Sequence, residues 1–402
     1  MPYIASTDIK HTDREITQKP RRILHVLGGM NRGGIETWLM EILQYIDRDR
    51  FQMDFLVHST EPGAYDQEAR ALNSQIITCP YPSRPWIYVP KFRQILREHK
   101  PYHIIHSHVH LFSGNILRLA AQAGIPCRIA HCHTDTSAIA TRGGLYRRLY
   151  YTWMKSWINR YATMGLGINN QAVAALFGSS DKSNPRWQTI NYGLDITPYA
   201  DKIDTVATRL ELGIPIDTFV IGHIGRFVEF KNHTFILDIA AAVVKREPKM
   251  CLLLVGEGSL RSQIEQKASQ LGLTNHIIFA GVRADIPRLM RGAMDIFLFP
   301  SLFEGLGNVR LEAQCAGLPA VISDVLPEEG DVIKPLVQRL SLRESADNWA
   351  EVILTWKNKI PAINQTEALK IMKDSNFNIE KSTKQLEQIY ESKFSAQKDN
   401  LS

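Results

Sequence analysis

A chain of 402 residues is too long for one ordinary hydrophobic core, so two domains are the first expectation. Its composition, 44% hydrophobic and 22% charged, excludes disorder as the default state, and a net charge of +6 suits nucleotides, phosphates or anionic lipid without selecting among them. Five cysteines with no CxxC pair exclude a disulfide scaffold and point to a reducing compartment.

Taken in chain order, residues 1–20 are polar and aperiodic and read as a tail. Asp8, Asp13 and Glu15 interrupt any apolar core there, which excludes an ordinary secretory signal. Short apolar runs bounded by turn residues follow at 23–27, 55–57, 103–106, 126–130 and 187–190, and they alternate with helical periods. The clearest helix is 35–46, where Ile35, Trp38, Leu39, Ile42, Leu43 and Ile46 define one buried face.

A second alternating series runs through 219–224, 251–255, 277–280, 295–299 and 319–322. The run after Phe235 is broken by Asp238 and ended by Lys245, so no stretch reaches the roughly 18 residues of a membrane span. Alternation of this kind implies an α/β protein with parallel sheets and right-handed crossovers. The expected plan is two doubly wound Rossmann-like domains, 21–192 and 193–375, hinged near 192–200 and facing a central cleft. A terminal helix at 376–392 is expected to pack back on the first domain, and 393–402 reads as a second polar tail.

Several constellations could carry chemistry. Segment 28–34, GGMNRGG, joins a strand to a helix, where glycines admit a ligand to backbone N–H groups; a tight turn explains it equally well. In 222–233, GHIGRFVEFKNH, Gly225 frees the backbone while Arg226 and Lys231 could neutralise a diphosphate from two sides. In 300–317, Glu304 and Glu312 have seven residues between them, including Gly305, Leu306, Gly307 and Asn308. If a helix opens near Gly307, the two carboxylates lie about 12 Å apart, which suits two contacts on one elongated ligand with backbone donors between them.

Histidines crowd the first half, in 106–110 HSHVH and 131–135 HCHTD. Zinc held by His106, His108, His110, Cys132 and Asp135 is one reading, and core or pocket histidines the favoured one, with no metal expected. Segment 142–160 interleaves Arg142, Arg147, Arg148, Lys155 and Arg160 with Tyr150, Trp153 and Trp157. It reads equally as peripheral contact with an anionic membrane or as an amphipathic helix on its own sheet.

Together, the G-R-xxxx-K segment and the E-G-x-G run followed by E-A resemble the retaining glycosyltransferases of family 4, over roughly residues 22–390. The resemblance implies the GT-B fold and transfer of a sugar from a nucleotide diphosphate sugar, UDP- or GDP-linked, with no other cofactor. It implies that Arg226 and Lys231 bind the diphosphate, Glu304 the transferred sugar and Glu312 the ribose, with Arg283 in GVRAD near the base. Gly33 and Gly34 match a loop facing phosphate and sugar, and His133 matches the active-site histidine, with His108 the second choice. Asn308, Arg310 and the 323–331 stretch SDVLPEEGD depart from the pattern. That stretch and the chain's ending are similar to members that build exopolysaccharide or capsule. A glycan or polyprenyl-diphosphate-linked acceptor is then expected, with no nucleic acid partner, in the cytoplasm or at the inner membrane face. A nucleotide-sugar epimerase on the same fold and a non-catalytic nucleotide-sugar binder are the competing classes.

Overall fold

A computed structural model describes residues 19–133, 145–178 and 184–398. Residues 1–18, Asp135, Arg142 and 399–402 lie outside the described residues, as does the side chain of Arg147.

The first half is a seven-stranded sheet built from β1 (Arg21–Leu27), β2 (Phe51–Val57), β3 (Ile76–Thr78), β4 (Ile104–Ser107), β5 (Cys127–Cys132), β6 (Met164–Gly167) and β7 (Trp187–Thr189), ordered β3-β2-β1-β4-β5-β6-β7. Its helices are α1 (Gly34–Tyr45), α2 (Asp66–Ala71), α3 (Pro85–Glu98), α4 (Ser113–Gln122), α5 (Leu145–Tyr161) and α6 (Asn170–Phe177). The second half is a six-stranded sheet of β8 (Phe219–Ile224), β9 (Met250–Val255), β10 (Ile277–Phe279), β11 (Ile296–Phe299), β12 (Ala320–Ser323) and β13 (Val337–Leu340), ordered β10-β9-β8-β11-β12-β13. Around it lie α7 (Thr205–Glu211), α8 (His233–Val244), α9 (Arg261–Gln270), α10 (Ile286–Gly292), α11 (Asn308–Cys315), α12 (Ala346–Lys357) and α13 (Gln365–Asp374).

Every strand pair is parallel, so each strand is followed by a crossover. Strand order reverses between β1 and β4 and again between β8 and β11, and open α/β sheets bind ligands beyond the carboxyl ends of strands at such switch points. The central strands are buried on both faces, which is why they read as near-continuous apolar runs.

The chain crosses between the halves twice. Leu194 forms a parallel bridge with Asn378 beside the start of α14 (Ile379–Lys398). That last helix returns to the first half: Trp38 Nε1 donates to Ser382 Oγ at 3.3 Å, and Glu387 Oε1 accepts from the Asp47 amide at 2.8 Å. The expected tail from residue 393 is corrected, because the helix continues to Lys398. Three edge-side strands, β3, β6 and β13, have no counterpart among the expected apolar runs.

Candidate active site

Two loops of the second half build a charged floor. Gly225 ends β8, and a side chain there would bring its Cβ to 3.2 Å from Lys231 Cδ and from His223 Nε2, so glycine is what lets Lys231 fold back. Asn232 adopts φ +58 and donates from Nδ2 to the Pro300 carbonyl at 3.0 Å, while the Leu302 amide donates to the Phe230 carbonyl at 2.8 Å. These bonds tie the 225–232 loop to the 300–307 loop. The result is an ion pair, Lys231 Nζ 2.6 Å from Glu304 Oε1, with Nζ also 4.8 Å from the centroid of the Phe299 ring. Arg226 is exposed beside it.

Gly307 caps α11 with φ +73, and a Cβ there would lie 2.9 Å from Phe299 Cε1, so both backbone and space require glycine. Among the described residues the amides of Gly305, Leu306 and Gly307 donate to no protein acceptor. They sit at a helix N-terminus, where unpaired donors and the helix dipole favour negative charge. Glu312 lies one turn further along α11, half-buried, and accepts from the Tyr199 hydroxyl at 3.3 Å. Burial lifts its carboxyl to about 7, against the opposing pull of Tyr199 and Lys231.

The first half faces this floor through the amino end of α1. Gly33 is the N-cap, and a Cβ on Gly34 would lie 3.7 Å from Asn308 Nδ2 in the other half. Burial raises the Glu36 carboxyl, with Arg226 acting from across the cleft in the opposite direction. One turn on, Glu41 is raised well above the ordinary range by burial and then by Glu312. Asn169, before α6, donates to the Gly305 carbonyl at 3.0 Å. Sequence reasoning missed Glu36, Glu41, Asn169 and Tyr199; the acids follow a glycine loop and Asn169 precedes a helix, but only the fold sets them against α11.

Arg283 stands apart from that floor. Its guanidinium donates to Asp285 at 2.8 Å and to Glu211 at 2.9 Å, and Arg288 joins the same cluster. The turn holding it adjoins the carboxyl end of β9, where the Gly256 amide donates to the Gly281 carbonyl at 2.8 Å.

The histidines form a separate layer. His25 and His106 are neighbours in register across β1 and β4, and His108, His131 and His133 follow at alternate positions on the same face. One chain of bonds runs from His25 Nδ1 to His108 Nε2 (3.0 Å), from His108 Nδ1 to His133 Nε2 (2.9 Å), and from His133 Nδ1 to the Tyr192 hydroxyl. A second runs from His131 Nδ1 to His106 Nε2 (3.1 Å) and from His106 Nδ1 to the Tyr390 hydroxyl (2.9 Å). Burial drives His25 and His133 down to about 3 and His106, His108 and His131 well below the ordinary range. All five rings are therefore neutral at pH 7.

His133 stands at the carboxyl end of β5, as the resemblance requires, 8% exposed, with its ring nitrogens bonded to His108 and Tyr192. Of the zinc ligands weighed in the sequence, His110 lies beyond the layer and Cys132 points to the opposite face of β5, while His25, which that set lacked, belongs to the layer. Two triads, His25–His106–His108 and His108–His131–His133, hold ring nitrogens within 4.8 Å of one another, but hydrogen bonds inside the layer spend most of those nitrogens.

On the outside of the first half, α5 buries Met154 and Ile158 against α4, where Gly114 permits close approach. Leu149, Tyr150 and Trp153 of the same helix are exposed, beside Arg148, Lys155 and Arg160. Among the described residues no helix is long and apolar enough to cross a membrane.

Comparison with known proteins agrees with this architecture. Residues 207–391 match the family described as glycosyl transferases group 1, and residues 33–187 match the glycosyl transferase 4-like domain. The chain is 36% identical over 336 residues to a protein named as glycosyltransferase EpsF in Bacillus subtilis, covering 83% of this chain and 87% of that one. It is 27% identical over 379 residues to the capsular polysaccharide biosynthesis glycosyltransferase CapH of Staphylococcus aureus, covering 92% and 99%. The solved structure of Anabaena HepE in complex with UDP and glucose aligns with a TM-score of 0.76 at 22% identity, covering 92% of this chain and 100% of that chain; at that identity the likeness speaks for the fold.

Proposed function

This chain belongs to the group 1 glycosyl transferases and is a glycosyltransferase of the GT-B fold, and from that premise we propose that it moves a hexose from a nucleotide diphosphate sugar to a glycan or lipid-linked acceptor, with retention at the anomeric carbon. The observation that carries this reading is the floor of the cleft. Lys231 and Glu304 are paired at 2.6 Å beside a helix mouth whose Gly305, Leu306 and Gly307 amides are free among the described residues. A departing diphosphate can exchange with Glu304 for Lys231, releasing the carboxylate to accept a sugar hydroxyl. Arg226, exposed next to it, supplies a second cation.

Transfer of this kind passes through an oxocarbenium-like state whose positive charge lies beside the leaving diphosphate. Donors already aimed at the leaving charge lower that barrier by several kcal/mol. Glu312, further along α11, takes the ribose in this reading, and Arg283 takes the base, as the resemblance implies. His133, bonded to His108 and Tyr192, is the histidine that the resemblance assigns to the active site. The names of CapH and of HepE's ligand support a role in polysaccharide synthesis and a UDP-linked donor. The exposed aromatic and basic face of α5 suits a peripheral approach to lipid-linked acceptor at a membrane.

A thermal-shift screen across UDP- and GDP-sugars identifies the donor, because binding to the native state raises stability by mass action. The stabilising donor, labelled and incubated alone, should stay unisomerised; an isomerised sugar would instead mark an epimerase. With acceptor, NMR of the product should show the donor's anomeric configuration. Two cations and a helix mouth already meet the leaving charge, so EDTA should leave the rate unchanged.

A further inference from the structure

We propose that Asn169 is a positioning residue for sugar transfer, a latch that ties the first half of the protein to the donor loop of the second and holds the cleft in its closed arrangement. The inference rests on the functional reading above for its catalytic consequence, though not for its geometry.

Asn169 is 6% exposed, with extended backbone, at the carboxyl edge of the first sheet. It does two jobs with one carboxamide. The Oδ1 atom accepts from the Ala172 amide at 2.7 Å and so caps α6, while Nδ2 donates to the Gly305 carbonyl at 3.0 Å, 136 residues away. A flipped amide would set NH2 against the Ala172 N–H and oxygen against the Gly305 oxygen, two repulsions in place of two bonds, so only one orientation is tenable. The residue is itself anchored, because the Ile168 amide donates to Cys132 and the Val173 amide to the Asn169 carbonyl, at 3.2 and 3.1 Å.

What Asn169 holds is the middle of the donor loop. Gly305 lies between Glu304, paired with Lys231, and Leu306, buried, two residues before the glycine that caps α11. A glycine has the loosest backbone of any residue, so its peptide plane is set by whatever binds it. Held by Asn169, the Gly305 oxygen is engaged rather than free to face an incoming diphosphate, and the reach of Glu304 is fixed from one side. Among the described residues this is the one side-chain hydrogen bond from residues 19–178 to the 300–312 stretch. A bond of this kind forms only when the halves are together, and it therefore favours the closed cleft.

The test is Asn169→Asp, which keeps an oxygen to cap α6 but faces the Gly305 carbonyl with a second oxygen. Hydrogen exchange on the full chain without ligand should show the bonded amides that flank the loop, Leu302 on the Phe230 carbonyl and Arg310 on the Gly307 carbonyl, exchanging about five- to tenfold faster, the factor expected of one lost hydrogen bond, with α6 unchanged. With UDP-glucose as the donor probe and water taking the glucosyl group in slow acceptor-free hydrolysis, kcat/KM for UDP release should fall by a similar factor while the Kd for UDP alone stays within about twofold. The second half supplies the cations that grip UDP, so a latch between halves leaves that constant alone. Asn169→Ala, which loses cap and latch together, should lower the melting temperature as well. Unchanged exchange at Leu302 and Arg310 in Asn169→Asp overturns the proposal. So does a parallel fall in UDP affinity, α6 protection and turnover, which would mark general damage. If the wild-type protein releases no UDP, the UDP-glucose reading fails and the exchange measurement alone decides the latch.

Discussion

The two halves of this protein spend their ionisable residues in opposite ways. In the second half, Arg226, Lys231, Glu304 and Glu312 lie at strand ends and a helix mouth, partly open, with backbone donors beside them that bind nothing in the protein. In the first half, five histidines lie on one sheet face under Trp38, Tyr192 and Tyr390, neutral and bonded mainly to each other. Density of ionisable groups is therefore a poor guide to chemistry. A site needs capacity left over for a ligand, and the histidine layer has almost none; the two orphan atoms in it, His25 Nε2 and His131 Nε2, are fully buried.

The largest expected effect tests the open region. Lys231→Ala should lower kcat by about 10²- to 10³-fold, the usual cost of removing one group that meets the leaving charge, while the melting temperature shifts by only a few degrees. A rate within about threefold of wild type would make Lys231 a surface cation and erase the contrast.

The next effect falls on the closed region and reads as stability. His108→Ala removes the ring bonded to both His25 and His133, and should cost about 2–4 kcal/mol in chemical denaturation. Acid should act on the same layer. An unfolded histidine takes up a proton near pH 6.5, whereas folded His25 and His133 resist protonation down to about 3. Stability is thus fully present above about pH 6.5 and lost as pH falls through that window, by up to about 1.4 kcal/mol per pH unit for each histidine. A denaturation midpoint that is flat from pH 7 to pH 5 would show that the layer is open to water or already charged.

The smallest effect sharpens the boundary between the two regimes. Glu312 is raised to about 7 by burial, yet it borders the cleft. Ionised, it is the stronger acceptor for ribose hydroxyls, so the donor KM should fall several-fold as pH rises from 6 to 8. Glu312→Gln should flatten that dependence; a KM that stays pH-dependent in the variant would assign the titration to another group.

Much of this was legible in the sequence, and the failures have physical causes. The central strands show because burial on both faces demands apolar runs, whereas β6 hides because Gly165 is imposed by packing: a Cβ there would lie 2.4 Å from Phe177 Cζ. The period-two spacing of His106 and His108, and of His131 and His133, announced a shared face. Nothing local announced that Tyr390, 284 residues beyond His106, would complete it. Arg310 and the SDVLPEEGD stretch looked like two unrelated departures from the family. The structure joins them: fully buried Arg310 meets Asp331 at 3.0 Å and donates to the Pro327 carbonyl, and Arg339 grips the same Asp331 at 2.6 Å. That the 225–232 and 300–312 segments share one floor was suggested by motif spacing; Asn169 and Glu41 carried no such signal, since their partners Gly305 and Glu312 lie across the cleft.

The account stands or falls on whether the floor of the cleft receives a diphosphate. The direct measurement is the thermal shift given by UDP-glucose and by UDP, in the wild-type chain and in the double variant Arg226→Ala, Lys231→Ala. The account predicts a clear rise in the wild type and almost none in the variant, whose melting temperature without ligand stays close to that of the wild type. Equal shifts in both proteins would contradict it.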